Sequence, residues 1–579
     1  MAGSLGIYKS VYIPSHGKHE LTPPRAQYSA DWGDYISFAQ RLREKADEKG
    51  VDLLVVDCGD RVDGNGLYDA STPKGKYTYS VIKEQHIDVI TTGNHELYQA
   101  ETAAREYDQT VPNFHGNYLA SNLDYLNPKT GERIAMAQRY RTFTTKNLGL
   151  KVVAFGFLFD FTGNANNTFV QPVSETVKEK WFQDAIMEEA DLFLVAGHVT
   201  LNGPEYDAIF RAIRKRNWDT PIHFFGGHSH IRSYHKYDSK AVGIQAGRYL
   251  ETIGWASING ISKKKQSIIG GGLELRSFSK SLSFGRRYID TNLYGYHYHT
   301  GMNGSTFPTE NGKNVSSIIN SSRTTLKLDH TFGCAPRDLW LNRAPYPSEN
   351  SLLTWLDQEV MPDIVVNDER KNVPRLAMTN SGAMRFDIFK GAFTTDTTYI
   401  ISPFVSKFRY IKDVPYKSAK RLYDMINTGG PIFEAKSLTS LYLSPPEQLS
   451  TKSFDTVTTN NVVRELADSQ HLLTSSQKPA LIPGYTTSDA AGTDGDDTVH
   501  SPINFYRVPN VVQSKLSFPK DGEPEKVDVV YIDFIQPWIL VALSFLGETR
   551  TSADTLSYRN ETLTDLMASW IKEHWRSDC

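Results

Sequence analysis

At 579 residues the chain is too long for one hydrophobic core, so two to four domains are expected. Hydrophobic residues make up 39% and charged residues 22%, a balance that excludes a membrane-embedded or fully disordered chain. The formal net charge of −3 excludes a globally basic surface, so no nucleic-acid duplex is expected as a partner.

Residues 1–13 lack a basic start and a continuous apolar stretch, so no signal peptide is legible there. Residues 37–49 read as a charged amphipathic helix, 51–57 as a short strand, 79–85 as a helix and 87–92 as a strand. Further strands are expected at 151–159, 191–196 and 222–225, and this alternation is that of an α/β domain spanning 1–265. Three lysines and then three glycines at 262–272 mark its edge, and 266–335 reads as a connector. A second α/β pattern runs over 336–579, with a helix at 351–360 and strands at 375–378, 399–401 and 527–532. Within it, 486–500 is small, polar and acidic, and reads as a disordered surface insert. The most apolar window, 527–546, contains Asp528, Asp533 and Pro537, so a buried strand and helix are expected, not a membrane span.

Cys58, Cys334 and Cys579 allow at most one disulfide and leave one thiol over. Cys58, at a strand end, reads as a buried small residue. Asn-x-Ser/Thr acceptor sequences occur at Asn166, Asn303, Asn314, Asn320 and Asn560, and the central three hint at secretion.

The chemistry lies at the strand ends. Four apolar runs each stop at a glycine followed at once by a metal-ligand residue type: Gly59-Asp60, Gly93-Asn94-His95, Gly197-His198, and Gly227-His228-Ser229-His230. In open α/β sheets such positions collect at the carboxyl ends of the strands, and glycine lets the chain turn there without obstruction. Mixed nitrogen and oxygen donors suit Zn, Mn or Fe better than Mg or Ca.

These motifs resemble those of the calcineurin-like metallophosphoesterases. Thr379–Asp387 (TNSGAMRFD) and Ser402-Pro403-Phe404 resemble the signature segments of the 5′-nucleotidase C-terminal domain. Asp31-Trp32-Gly33-Asp34 and Arg286–Asn292 (RRYIDTN) are similar to the fungal branch of that family. The resemblance implies an α/β sandwich with mixed β-sheets, followed by a second α/β substrate-binding domain. It implies two divalent metal ions: Asp60 bridging them, Asn94, His198 and His228 completing one site, and His230 serving the other. His95 would stabilise the transferring phosphoryl group and assist the leaving oxygen. Arg385 would reach the substrate phosphate, with a structural ion pair as the other reading, and Phe404 and Phe534 would wall a nucleobase slot.

The reaction implied is hydrolysis of a small-molecule phosphomonoester, most plausibly a 5′-nucleotide. A phosphodiesterase or nucleotide-sugar hydrolase would use the same metals. By analogy the chain would be secreted, periplasmic or vacuolar. Two departures stand out. The family's first-strand Asp-x-His motif is not intact: its nearest match, Pro14-Ser15-His16-Gly17, has proline for aspartate. Either His16 alone remains or the motif lies upstream; on either reading one metal site is incomplete, retention of a single ion is one expectation, and an impaired metal- or nucleotide-binding homologue is the third alternative. The second departure is Tyr98, where many relatives carry an aspartate that orients the catalytic histidine. Glu96 reads as a structural hydrogen-bonding residue, not as its replacement.

Overall fold

The computed structural model describes residues 2–7, 29–261, 281–428, 431–434, 443–451, 481–482, 488–489 and 505–579. The chain forms two compact units. One comprises Met1–Asp63, Ser71–Ser322 and Tyr485–Pro502, the other Gly64–Ala70, Arg323–Gly484 and Ile503–Cys579. His16 lies outside the described residues, as does the expected insert except for a two-residue strand at Ser488–Asp489.

The first unit is built on two mixed sheets. Its elements, in chain order, begin with β1 (Ala2–Ile7), α1 (Trp32–Glu48), β2 (Leu53–Asp57) and β3 (Val89–Ile90). There follow β4 (Tyr140–Thr144), β5 (Lys151–Leu158), β6 (Leu192–His198), α2 (Pro204–Arg216) and β7 (Ile222–Phe225). Then come β8 (Arg232–Asp238), β9 (Ala241–Ala246), β10 (Thr252–Asn259) and β11 (Ser283–Asp290). One sheet has the order β11-β10-β1-β2-β3. The other runs from the Ser488–Asp489 strand through β8-β9-β7-β6-β5 to β4. β1, β2 and β3 are parallel, as are β5, β6, β7 and β9. One buried cluster draws Val56, Val89 and Ala256 from the first sheet and Val152, Leu194, Phe225 and Ile244 from the second, so the two faces share a core. Each of the larger side chains among them contributes about 1.5–3 kcal/mol relative to exposure. This is the expected sandwich. β1 occupies the place beside β2, and its residues, AGSLGI, include neither aspartate nor histidine.

Helix α1 starts earlier than its charge pattern suggested. Asp31 caps it by accepting the Asp34 N–H at 2.9 Å, while Asp34 accepts the Asp31 N–H at 3.0 Å. Trp32, Tyr35 and Ile36 extend its buried stripe upstream.

In the second unit, α3 (Thr395–Ile401) lies between β12 (Arg375–Asn380) and β13 (Lys407–Pro415). β14 (Val511–Leu516), β15 (Lys526–Ile532), α4 (Gln536–Phe545), β16 (Leu556–Thr562) and α5 (Leu563–His574) complete its frame. The sheet order is β14-β12-β15-β13-β16, with β12 and β15 parallel. Residues 527–546 are the buried strand and helix expected of them, and among the described residues no helix is long and apolar enough to cross a membrane. The helix at 351–360 is present, capped by Ser351 and carried through a π-turn at Leu356–Val360. The strand expected at 399–401 is instead the end of α3. Its β-branched residues read as strand, but the Thr394–Thr397 capping box commits the segment to helix.

Cys334 and Cys579 form the one disulfide that three cysteines permit, and Cys58 is the buried thiol left over, its sulfur donating to the Phe225 carbonyl oxygen. The bridge spans 245 residues and ties the C-terminus to Thr331–Ala335, beside Trp575, which packs on Trp355 and Phe393. Cys579→Ser should lower the stability of this unit by about 2–4 kcal/mol, because the unfolded chain regains the freedom of that loop. Denaturant titration checks this, and reductant should lower the wild-type midpoint without moving that of the variant.

Candidate metal centre and substrate pocket

The parallel strands of the first unit deliver the motif residues at their carboxyl ends. β2 leads through Gly59, with φ of 87°, to Asp60, which is buried with φ of 61°. A non-glycine residue in that region costs of order 1–3 kcal/mol, so the surroundings must hold it. Glu96 does so: its carboxylate accepts the N–H groups of Asp60 at 2.9 Å, Arg61 at 2.5 Å and Gly93 at 2.8 Å. It thereby pins the turn after β2 to the turn after β3, the structural hydrogen-bonding role read from its place in the motif. Burial pushes the Glu96 carboxyl up to about 8, opposed by the Arg61 charge. Arg61 itself is buried among Asp57, Glu96 and Glu106.

Asp60 is shared between two neighbours. Its Oδ1 accepts the His95 N–H at 3.0 Å, and its Oδ2 stands 3.1 Å from His198 Nε2. His198 Nδ1 lies 2.9 Å from the Cys58 carbonyl oxygen. A carbonyl only accepts, so Nδ1 carries a proton; Nε2 faces Asp60 with its lone pair on the neutral ring and with a second proton on the charged one. His228, with φ of 73°, stacks on Phe159 at 4.1 Å, and its ring centre is 5.3 Å from that of His198. Asn94 donates from Nδ2 to the Tyr98 hydroxyl at 3.1 Å, while its Oδ1 is buried with no hydrogen-bond partner among the described residues.

The donor chemistry fits a cation. A carboxylate oxygen and an imidazole nitrogen 3.1 Å apart need positive charge between them, which a metal ion or a ring proton supplies, and the buried Asn94 amide oxygen without a donor fits the metal ion. Among the described residues no three His, Cys, Asp or Glu side chains are gathered closely enough to hold an ion as they stand. Asp60 and His198 are the tight pair, with His228 beside them. His230 is buried, has φ of 59° and meets the Tyr249 ring edge-on at 5.3 Å.

His95 is nearly buried, its Nε2 4.0 Å from Asp60 Oδ2. Its Nδ1 lies 3.0 Å from Asp63 Oδ2. Asp63 thus supplies the orienting carboxylate that the tyrosine at position 98 lacks, and Tyr98 holds Asn94 instead. Sequence reasoning missed Asp63. The only signal was a second aspartate and a glycine closing the turn, Asp60-Arg61-Val62-Asp63-Gly64, with Asp63 at φ of 61°.

Gly93 leaves no room for a side chain beside Asp60. A methyl group there would stand 2.1 Å from Asp60 Oδ1. Gly93→Ala should therefore displace the Asp60 carboxylate and destabilise the first unit by about 1–3 kcal/mol. Thermal melting alongside metal titration checks it, and wild-type behaviour in both would refute this account of the turn.

In the second unit the predicted pocket residues emerge at one end of the sheet. Met378 of β12 pairs with Tyr531 of β15, and Phe408 of β13 pairs with Ile532. Arg385 follows β12, Phe404 precedes β13 and Phe534 follows β15, so the register brings all three chain segments to the same edge. The Arg385 guanidinium lies 4.8 Å from the Phe404 ring centre. Phe534 packs at 5.8 Å on the mostly buried Trp538.

A metallophosphoesterase sandwich followed by a second α/β domain of 5′-nucleotidase type defines a hydrolase acting on phosphoesters. Residues 16–232 match the calcineurin-like phosphoesterase family, and residues 338–540 match the NAD nucleotidase C-terminal domain. The chain belongs to the 5′-nucleotidase family of calcineurin-like metallophosphoesterases. It is similar to the crystal structure of a 5′-nucleotidase from Candida albicans, with a TM-score of 0.82 and 32% identity over 99% of this chain and 98% of that one. An uncharacterised protein of Schizosaccharomyces pombe is 36% identical over 95% of this chain and 85% of its own length. A protein of Arthroderma benhamiae named as secreted is 34% identical over 97% of this chain and 89% of its own length.

Proposed function

We propose that the chain hydrolyses phosphate monoesters, 5′-nucleotides foremost, with water activated at a divalent metal centre. The observation that carries this is the meeting of Asp60 and His198 at 3.1 Å, together with the buried, unpartnered amide oxygen of Asn94, the residue before His95, whose N–H Asp60 accepts. Asp60, Asn94, His198 and His228 would hold one ion, and Asp60 and His230 would contribute to a second. Ions of the Zn, Mn or Fe type supply charge neutralisation of the phosphate and a water of lowered pKa. The remaining chemistry belongs to side chains. His95, oriented by Asp63, holds a proton on the phosphate side of the site and stabilises the developing charge. Arg385 meets the substrate phosphate, and Phe404 and Phe534 flank the base. The C. albicans 5′-nucleotidase likeness supports the substrate class.

The match of residues 338–540 to the NAD nucleotidase domain favours a second reading, cleavage of nucleotide diphosphate linkages on the same scaffold. Product analysis with Zn²⁺, Mn²⁺ or Fe²⁺ supplied separates the two: orthophosphate released from nucleoside 5′-monophosphates marks the first reading, and monophosphate products formed from cyclic nucleotides, dinucleotides or sugar nucleotides mark the second. Metal-stimulated release from monophosphates is expected. Silence toward every substrate with nucleotide still bound would replace both readings with the impaired homologue, which the residues of β1 favour.

The disulfide and the likeness to a protein named as secreted support export to an oxidising compartment.

A further inference from the structure

Five asparagines head the glycosylation acceptor pattern, and in the folded chain all five are exposed: Asn166, Asn303, Asn314, Asn320 and Asn560. Exposure of the asparagine is what a bulky glycan requires of the finished fold. The five differ in the hydroxyl residue two positions on: where it too is exposed, the acceptor stays open to transfer even after the chain has folded. Thr168 and Ser322 are buried. Ser316 is half-buried and donates to Asp31 Oδ1 at 2.8 Å, within the helix Glu310–Thr325. Thr562 is half-buried and caps α5. Ser305 alone is exposed together with its asparagine.

The turn at Asn303-Gly304-Ser305 is also poised correctly. Asn303 Oδ1 accepts the Ser305 N–H at 3.0 Å and the Ser305 hydroxyl at 2.7 Å, and the Thr306 N–H and hydroxyl at 3.2 and 3.3 Å. These bonds occupy the amide oxygen and leave the Asn303 Nδ2 outside them, on an exposed side chain next to the hydroxyl of its own acceptor sequence. Independently, Cys334–Cys579 is the bridge of a chain that matures where disulfides persist, the same route on which such acceptors are read.

We propose that Asn303 carries an N-linked glycan. The carboxamide nitrogen bonds to C1 of the reducing sugar of a lipid-linked oligosaccharide diphosphate. The C1–oxygen bond to phosphate breaks, the lipid diphosphate leaves with its electron pair, and the amide proton passes to base. This inference rests on passage through the secretory route and not on the phosphoesterase reading.

The test is mass spectrometry of the full chain secreted from a fungal host. Peptide N-glycosidase in heavy-oxygen water should convert Asn303 to labelled aspartate. Asn303→Gln and Ser305→Ala should each lose one glycan's mass, and Ser305→Thr should keep it. Phosphate release should be equal in all four proteins, so a chain that hydrolyses nothing leaves this result readable. An unlabelled Asn303 in secreted chain, or a chain retained unmodified in the cytosol, would overturn the proposal.

Discussion

Replacing Asp60 with asparagine should remove metal-stimulated phosphate release almost entirely, by on the order of 10³-fold or more in kcat/KM, while the fold survives. The size follows from the several kcal/mol of charge stabilisation that a metal centre supplies, at about 1.4 kcal/mol per factor of ten. Survival of the fold follows from geometry. Asparagine keeps an oxygen that can accept the His95 N–H, and it tolerates the left-handed backbone at this position better than other residues. What it loses is the negative charge facing His198 Nε2. Its amide could even donate to that nitrogen, satisfying the pair without any ion. Metal analysis should therefore show ion content falling in step with activity, and a chelator should do to the wild type what the substitution does. Activity in Asp60→Asn matching the wild type, at equal metal content, would remove the metal centre from the proposed function. The count of ions in the wild type carries separate information. Two tightly held ions would contradict the reading of the second site as incomplete.

How far the sequence alone reached differs by element, for physical reasons. β5, β6 and β7 were legible because strands buried on both faces are continuous apolar runs. The glycines after β2, β3 and β7 and at the end of β6 were legible because a tight turn beside a ligand leaves no room for a side chain, as the 2.1 Å approach at Gly93 shows. The end of α3 was not, because Tyr399, Ile400 and Ile401 carry strand propensity and the cap that overrides it sits several residues upstream. The Cys334–Cys579 pairing was open because connectivity depends on which residues the fold brings together. Asp63 was invisible for the same reason. Its role depends on a turn with φ of 61° carrying its carboxylate to a histidine 32 residues away in sequence. Tyr98 illustrates the converse: the missing aspartate was plain in the sequence, but its consequence was not, since a neighbouring turn supplied the carboxylate.

That substitution of one carboxylate for another makes a second strong prediction. Asp63→Asn should lower kcat on nucleoside 5′-monophosphates about 10- to 100-fold, the usual cost of losing a partner that orients a functional imidazole. KM should change little, because Asp63 acts through His95 and is not among the residues proposed to hold the base or phosphate. Asparagine is the informative replacement: it fits the left-handed backbone, so lost charge is separated from lost conformation. If His95 delivers a proton to the leaving oxygen, the penalty must depend on how much the leaving group needs it. An alkyl ester such as a nucleotide needs that proton, whereas a nitrophenyl phosphate departs readily without it, so Asp63→Asn should scarcely slow the latter. A double variant with His95→Asn should be no slower than His95→Asn alone, because the two residues act as one unit. Equal losses on both substrates, or additive losses in the double variant, would reduce Asp63 to a structural residue of the turn.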